Sequence, residues 1–284
     1  MLHQVSDPEV IAALQTRRVE REALIGRLTG VLERDRRVAA AWFYGSVGRG
    51  DEDDLSDLDV RVVVTDEHMA AMRAEKREFV AQVGVPLLLQ EAPQNAPRGG
   101  AFLLSCYDGQ EGPQEIDWTW QPQSLAFIPE GTRLILDRVG LPRTEPPHAE
   151  RADVLPTEDT RTTERRYRDQ TYNLTSFFWA MLSIQAKFVA RSPWDGGLGF
   201  LEMLRNATQD ARGLVGLPTC YVHGDAPPLG RPDEKLGMLR ELASGMEALM
   251  PQLVGRGGEV CSGAVPRVHR FLGLVEAIAR ACSR

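Results

Sequence analysis

The stretch that most constrains this chain is Phe43-Tyr44-Gly45-Ser46, a ten-residue gap, and then Asp57-Leu58-Asp59-Val60. An apolar run ending in Gly-Ser reads as a buried strand entering a turn. Leu58 to Val64, rich in valine, reads as a second strand. Side chains alternate along a strand, so Asp57 and Asp59 project from one face while Leu58 and Val60 point into the core. Paired carboxylates there repel unless a cation lies between them, and acids at the head of a Val-rich strand conflict with strand propensity. Such conflicts tend to mark functional sites. Glycine lets the backbone approach a phosphate, with N–H groups and the Ser46 hydroxyl as donors. The chemistry implied is a hard divalent cation held by oxygen ligands and shared with substrate phosphates.

These residues and their spacing resemble the signature of the DNA polymerase β-like nucleotidyltransferase superfamily: hydrophobic-Gly-Ser, a gap, then Asp-hydrophobic-Asp-hydrophobic. The superfamily carries a third acid between apolar neighbours on a later strand, which Ile116-Asp117-Trp118 fits; Glu115, on the same face of that strand, is the alternative. The resemblance implies Asp57, Asp59 and Asp117 as catalytic and metal-holding residues, two Mg²⁺ ions, and Gly45, Ser46, Arg49 and Ser56 beside the nucleotide. A catalytic module followed by helices in an acidic chain further resembles the antibiotic nucleotidyltransferases, which adenylylate aminoglycosides or lincosamides. That likeness implies ATP or another NTP as co-substrate, a small hydroxyl-bearing acceptor, pyrophosphate release, Asp117 as base, and a role in antibiotic resistance. It also implies a cation from the helical domain that reaches the triphosphate. Lys187 is the candidate, since Trp179, Lys187 and Arg191 fall roughly on one side of a helix.

The remaining sequence predicts an α/β (α+β) domain with a mixed sheet over residues 1–145, then an all-α helical bundle over 146–284. A helix is expected from Pro8 to about Glu33, with Ser6 or Asp7 as its cap, and another from Glu67 to Val83. Strands are expected at Val38–Tyr44, Val85–Gln90, Ala101–Tyr107, Glu115–Trp120 and Thr132–Leu136, the two before the last forming a hairpin. The Pro-rich stretch holding Pro142, Pro146, Pro147 and Pro156 reads as a linker. Beyond it, helices are expected over Thr160–Arg191, Gly199–Arg212, Pro232–Met250 and Pro266–Cys282.

The bland readings are weighed alongside. Asp51 to Asp54 read as a solvated acidic loop, and Arg49 either meets phosphate or pairs with that loop. Lys187 and Arg191 read sooner as surface charges on a helix than as ligands, Phe177, Phe178 and Trp179 as core, and Arg161, Arg165, Arg166 and Arg168 as a solvated helix face. Four scattered cysteines, with no CxxC pair, suit free thiols in a reducing cytoplasm, and no apolar run approaches membrane-spanning length. The start of the chain lacks a basic, then apolar, leader pattern.

The formal net charge of −7 disfavours a nucleic-acid partner and favours a small acceptor, which the field would steer in if it were cationic. Three functions remain in play: small-molecule transfer, transfer to tRNA or a protein, and a non-catalytic binding protein that keeps the fold. Both monomer and homodimer are compatible with the pattern.

Overall fold

The computed structural model of the chain describes residues 6–144, 161–192, 199–221 and 230–282. Pro146, Pro147 and Pro156 of the expected linker lie outside them. Contacts divide the chain into two compact units. One comprises 17–108 and 114–159; the other comprises 1–16, 109–113 and 160–284.

The first unit is a mixed α/β layer. Among the described residues its strands are β1 (Val38–Tyr44), β2 (Leu58–Val64), β3 (Pro86–Gln90), β4 (Ala101–Tyr107), β5 (Gln114–Pro122) and β6 (Arg133–Asp137), in the sheet order β3-β4-β5-β2-β1-β6. Only β2 and β5 run parallel; the other neighbours are antiparallel. Helix α1 (Pro8–Arg34), capped by Asp7 Oδ1 accepting from the Glu9 N–H at 3.0 Å, contributes its residues from Arg17 onward to this unit. The expected second helix is a 3₁₀ turn at Asp66–His68 followed by α3 (Met69–Ala81). A single helical turn, α2 (Gly45–Arg49), stands where the sequence predicts only a turn.

Alternation decides which face of the sheet is covered. Leu58, Val60, Val62 and Val64 of β2 join Ile116, Trp118 and Trp120 of β5 in one apolar cluster with Leu24, Leu28 and Val31 of α1 and Met72, Phe79 and Val80 of α3. The Trp118 and Trp120 rings stack at 5.8 Å, and Phe79 meets each edge-on. The indole of Trp118 donates to Ser105 Oγ at 2.9 Å, so this large side chain is buried without losing its hydrogen bond. Residues of opposite parity, Asp59, Arg61, Asp117, Thr119 and Gln121, are thereby turned to the other face.

The second unit is helical. Its main elements are α4 (Thr163–Arg191), α5 (Leu201–Leu214), α6 (Pro232–Gly255) and α7 (Val265–Cys282), with α4 packed on the other three. Thr162 caps α4 by accepting from the Arg165 N–H. Phe178 and Trp179, edge-on at 5.2 Å and fully buried, belong to the core of this unit, as the bland reading expected. Arg161 pairs with Asp169 at 2.8 Å on the surface.

The sheet unit carries a pH-sensitive contact. The Tyr107 hydroxyl donates to the Val80 carbonyl at 2.8 Å, and burial pushes the phenol up to about 12. The unfolded chain releases that proton near 10.0, so above that pH the folded state binds more protons and stability falls as pH rises toward 12. Urea unfolding on either side of pH 10.0 should show this fall, and Tyr107→Phe should flatten part of it.

Candidate active site

The opposite face of the sheet is organised in rows set by strand register. Tyr44 of β1 lies opposite Asp59 of β2, and Asp59 lies beside Asp117 of β5. The next row along is Trp42, Arg61 and Thr119. Paired residues share a face and adjacent strands are about 4.8 Å apart, so the Asp59 and Asp117 carboxylates emerge as neighbours. Asp57, two residues before Asp59, continues the same parity at the mouth of β2, and all three acids are partly exposed. Glu115 has the parity of Asp117, so both alternatives for the third acid reach this face.

Gly45 explains why the strand before these acids must end in glycine. Its φ is +60°, and a Cβ there would sit 1.9 Å from Asp59 Oδ2. The Asp59 carboxylate therefore lies against the bare Cα of Gly45. Ser46 is the second residue of the helical turn that Gly45 opens, and its carbonyl accepts from the Gly50 and Asp51 N–H groups at 2.9 and 3.1 Å. That turn closes on Gly50, with φ 75°.

The loop leading to Asp57 is tied down rather than simply solvated. The Arg21 guanidinium, almost fully buried on α1, donates to the Asp53 and Ser56 carbonyls, and Arg18 pairs with Asp54 at 2.6 Å. Asp53 Oδ1 accepts from the Leu55 N–H at 3.0 Å and from the Ser56 hydroxyl at 3.1 Å. Ser56, expected beside the nucleotide, is 3% exposed, and these hydrogen bonds direct its hydroxyl into the loop. The solvated reading of Asp51–Asp54 is corrected for Asp53 and Asp54: the loop forms part of the scaffold that aims Asp57.

Of the cations, Arg49 makes a two-pronged contact with Asp51, at 3.0 and 3.1 Å, on the exposed side of the turn. Lys187 lies on α4 in the helical unit and is 5% exposed, so the surface-charge reading does not hold for it. Arg191, at the end of the same helix, is partly exposed.

The donor set suits a hard divalent cation: the row offers carboxylates and no sulfur or imidazole. Among the described residues no three His, Cys, Asp or Glu side chains form a group that could by itself hold a metal ion. Mg²⁺ needs none, because it keeps waters and is completed by substrate phosphates.

Sequence reasoning did not single out Tyr44 as a working side chain, nor Arg61, Thr119 and Gln121. The Tyr44 hydroxyl and Thr119 Oγ1 are 3.1 Å apart. Burial raises the Tyr44 phenol above its ordinary value; the charges of Asp59 and Asp117 push it the same way, while Thr119 and Arg61 oppose. Tyr44 is thus kept as a neutral hydroxyl beside the acids. The signal that could have found these residues is the alternation that identified Asp57 and Asp59, carried further along each strand.

The chain matches no protein-family model and no curated protein, so its chemistry is read from the residues of this face.

Replacing Gly45 tests the local geometry. Gly45→Ala must leave the left-handed region or displace Asp59, and should destabilise the fold by about 1–3 kcal/mol in urea unfolding. Wild-type stability in that variant would contradict the close packing of Asp59 on Gly45.

Proposed function

We propose that the chain is a Mg²⁺-dependent nucleotidyltransferase that moves a nucleoside monophosphate, AMP from ATP on our reading, onto a hydroxyl of a small acceptor. The observation that carries the proposal is the register of β2 and β5, which sets Asp59 and Asp117 side by side, with Gly45 bare against Asp59.

Asp57, Asp59 and Asp117 would hold the metal, which when bound supplies charge stabilisation to the phosphates and lowers the cost of forming an alkoxide. Asp117 accepts the proton of the acceptor hydroxyl. The acceptor oxygen forms its bond to the α-phosphorus, the bond from that phosphorus to the bridging oxygen breaks, and pyrophosphate leaves with the electron pair. Gly45 and Ser46 allow the nucleotide's phosphates to approach the backbone, and the neutral Tyr44 hydroxyl beside the row adds a donor without adding negative charge. The acidic balance of the chain favours a cationic, polyhydroxylated acceptor of the aminoglycoside kind, for which the modification would amount to antibiotic resistance.

Transfer of radiolabel from a panel of α-labelled NTPs to aminoglycosides, lincosamides and tRNA tests this reading. Labelling of a small acceptor is expected; labelling of tRNA alone would overturn the acceptor class, and no labelling with any NTP would overturn the activity. Asp59→Asn and Asp117→Asn should each lower the rate by about 10²-fold or more while circular dichroism stays native, and surviving activity would sink the metal assignment. Glu115→Gln should keep most of the rate; a loss equal to that of Asp117→Asn would move the third acid to Glu115.

A further inference from the structure

A cavity of about 340 Å³ opens on the same face, lined among others by Tyr44, Gly45, Arg49, Arg61, Gln121 and Glu130. Arg61 is the feature that needs explaining. It follows Asp59 by two residues on β2, so it stands on the same face about 7 Å further along the strand. Its guanidinium lies over the Tyr44 ring, 5.4 Å from the centroid. Among the described residues no carboxylate pairs with it, and its side chain is only partly exposed. The guanidinium remains charged, and a cation partly withdrawn from water favours a negative group beside it. Arg49 brings a second guanidinium to the lining, although Asp51 already engages it, and Glu130 is the acid among the lining residues named here. Gln121 adds an amide able to donate.

We propose that this cavity is an anion-binding subsite beside the carboxylate row, with Arg61 as its principal cation, and that it seats a phosphate or carboxylate group of a substrate. That the anion belongs to a substrate rests on the nucleotidyltransferase reading; that the cavity binds anions does not. The planar guanidinium, held by Tyr44, presents a fork matched to two oxygens of one anionic group. Two sources supply that chemistry: the polyphosphate tail of the nucleotide, or an anionic group on the acceptor.

The test is calorimetric titration of the full chain with inorganic pyrophosphate in the presence of a chelator, so that no metal contributes. Wild type should bind, Arg61→Gln should bind about tenfold or more weakly, and Arg61→Lys should fall between them, because a point charge replaces a fork. Thermal unfolding checks that each variant folds; should Arg61→Gln fail, the comparison of Arg61→Lys with wild type carries the test. Pyrophosphate affinity unchanged by these substitutions, or no binding to wild type, would overturn the subsite. Steady-state kinetics then locate the source. A raised KM for the NTP assigns the subsite to the polyphosphate, and a raised KM for the acceptor assigns it to an anionic acceptor group; either supports it. A chain with Arg61-dependent pyrophosphate binding but no transfer from any NTP would overturn the proposed function and leave the subsite standing.

Discussion

The parallel pairing of β2 with β5 is the constraint on which the rest of the site depends. It sets Asp59 beside Asp117 and Arg61 beside Thr119, so one register fixes both the carboxylate row and the cation next to it. A slip of one residue would turn every one of these side chains to the opposite face and bury the acids. The slip is prevented from the covered side. Val60, Val62, Trp118 and Trp120 are fully buried against α1 and α3, and moving them into water would forfeit about 1.5–3 kcal/mol for each large side chain. Two like charges side by side on a sheet are destabilising, and the apolar face is what holds them there.

Two further contacts aim the acids. Gly45 gives up a side chain so that the Asp59 carboxylate can lie against its Cα. Arg21 and Arg18, both from α1, fasten the carbonyls and carboxylate of the loop before Asp57. The helix that covers one face of the sheet therefore also shapes the approach to the other. On that other face, Tyr44 touches both groups of the site electrostatically, with the acids on one side and the Arg61 cation on the other.

Much of this was legible in the sequence. The bounds of β1, β2 and β4 follow from runs of apolar and β-branched residues ended by Gly, Asp and Thr, where strand propensity and turn chemistry agree. The placement of Asp57 and Asp59 on one face needed only the period of two. What escaped depended on partners distant in the chain. The anchoring of Asp53, Asp54 and Ser56 comes from arginines more than thirty residues earlier, which no local pattern reveals. The burial of Lys187 arises because α4 is covered by three other helices, so a residue off the main apolar stripe is enclosed as well. The α2 turn was missed because two glycines in five residues argue against helix by propensity. Here packing outweighs propensity: Val47 is buried, and a Cβ at Gly48 would lie 2.6 Å from the Phe43 carbonyl oxygen.

The central claim is that the row of Asp57, Asp59 and Asp117 forms a divalent-cation site completed by a nucleotide. Titration of Mn²⁺ into the full chain, followed by electron paramagnetic resonance with and without a non-hydrolysable NTP analogue, tests it most directly. The account predicts that bound Mn²⁺ rises when the nucleotide is present, and that this rise is lost when Asp59 and Asp117 are both replaced by asparagine. Mn²⁺ binding that ignores the nucleotide, or that survives the double replacement, would contradict it.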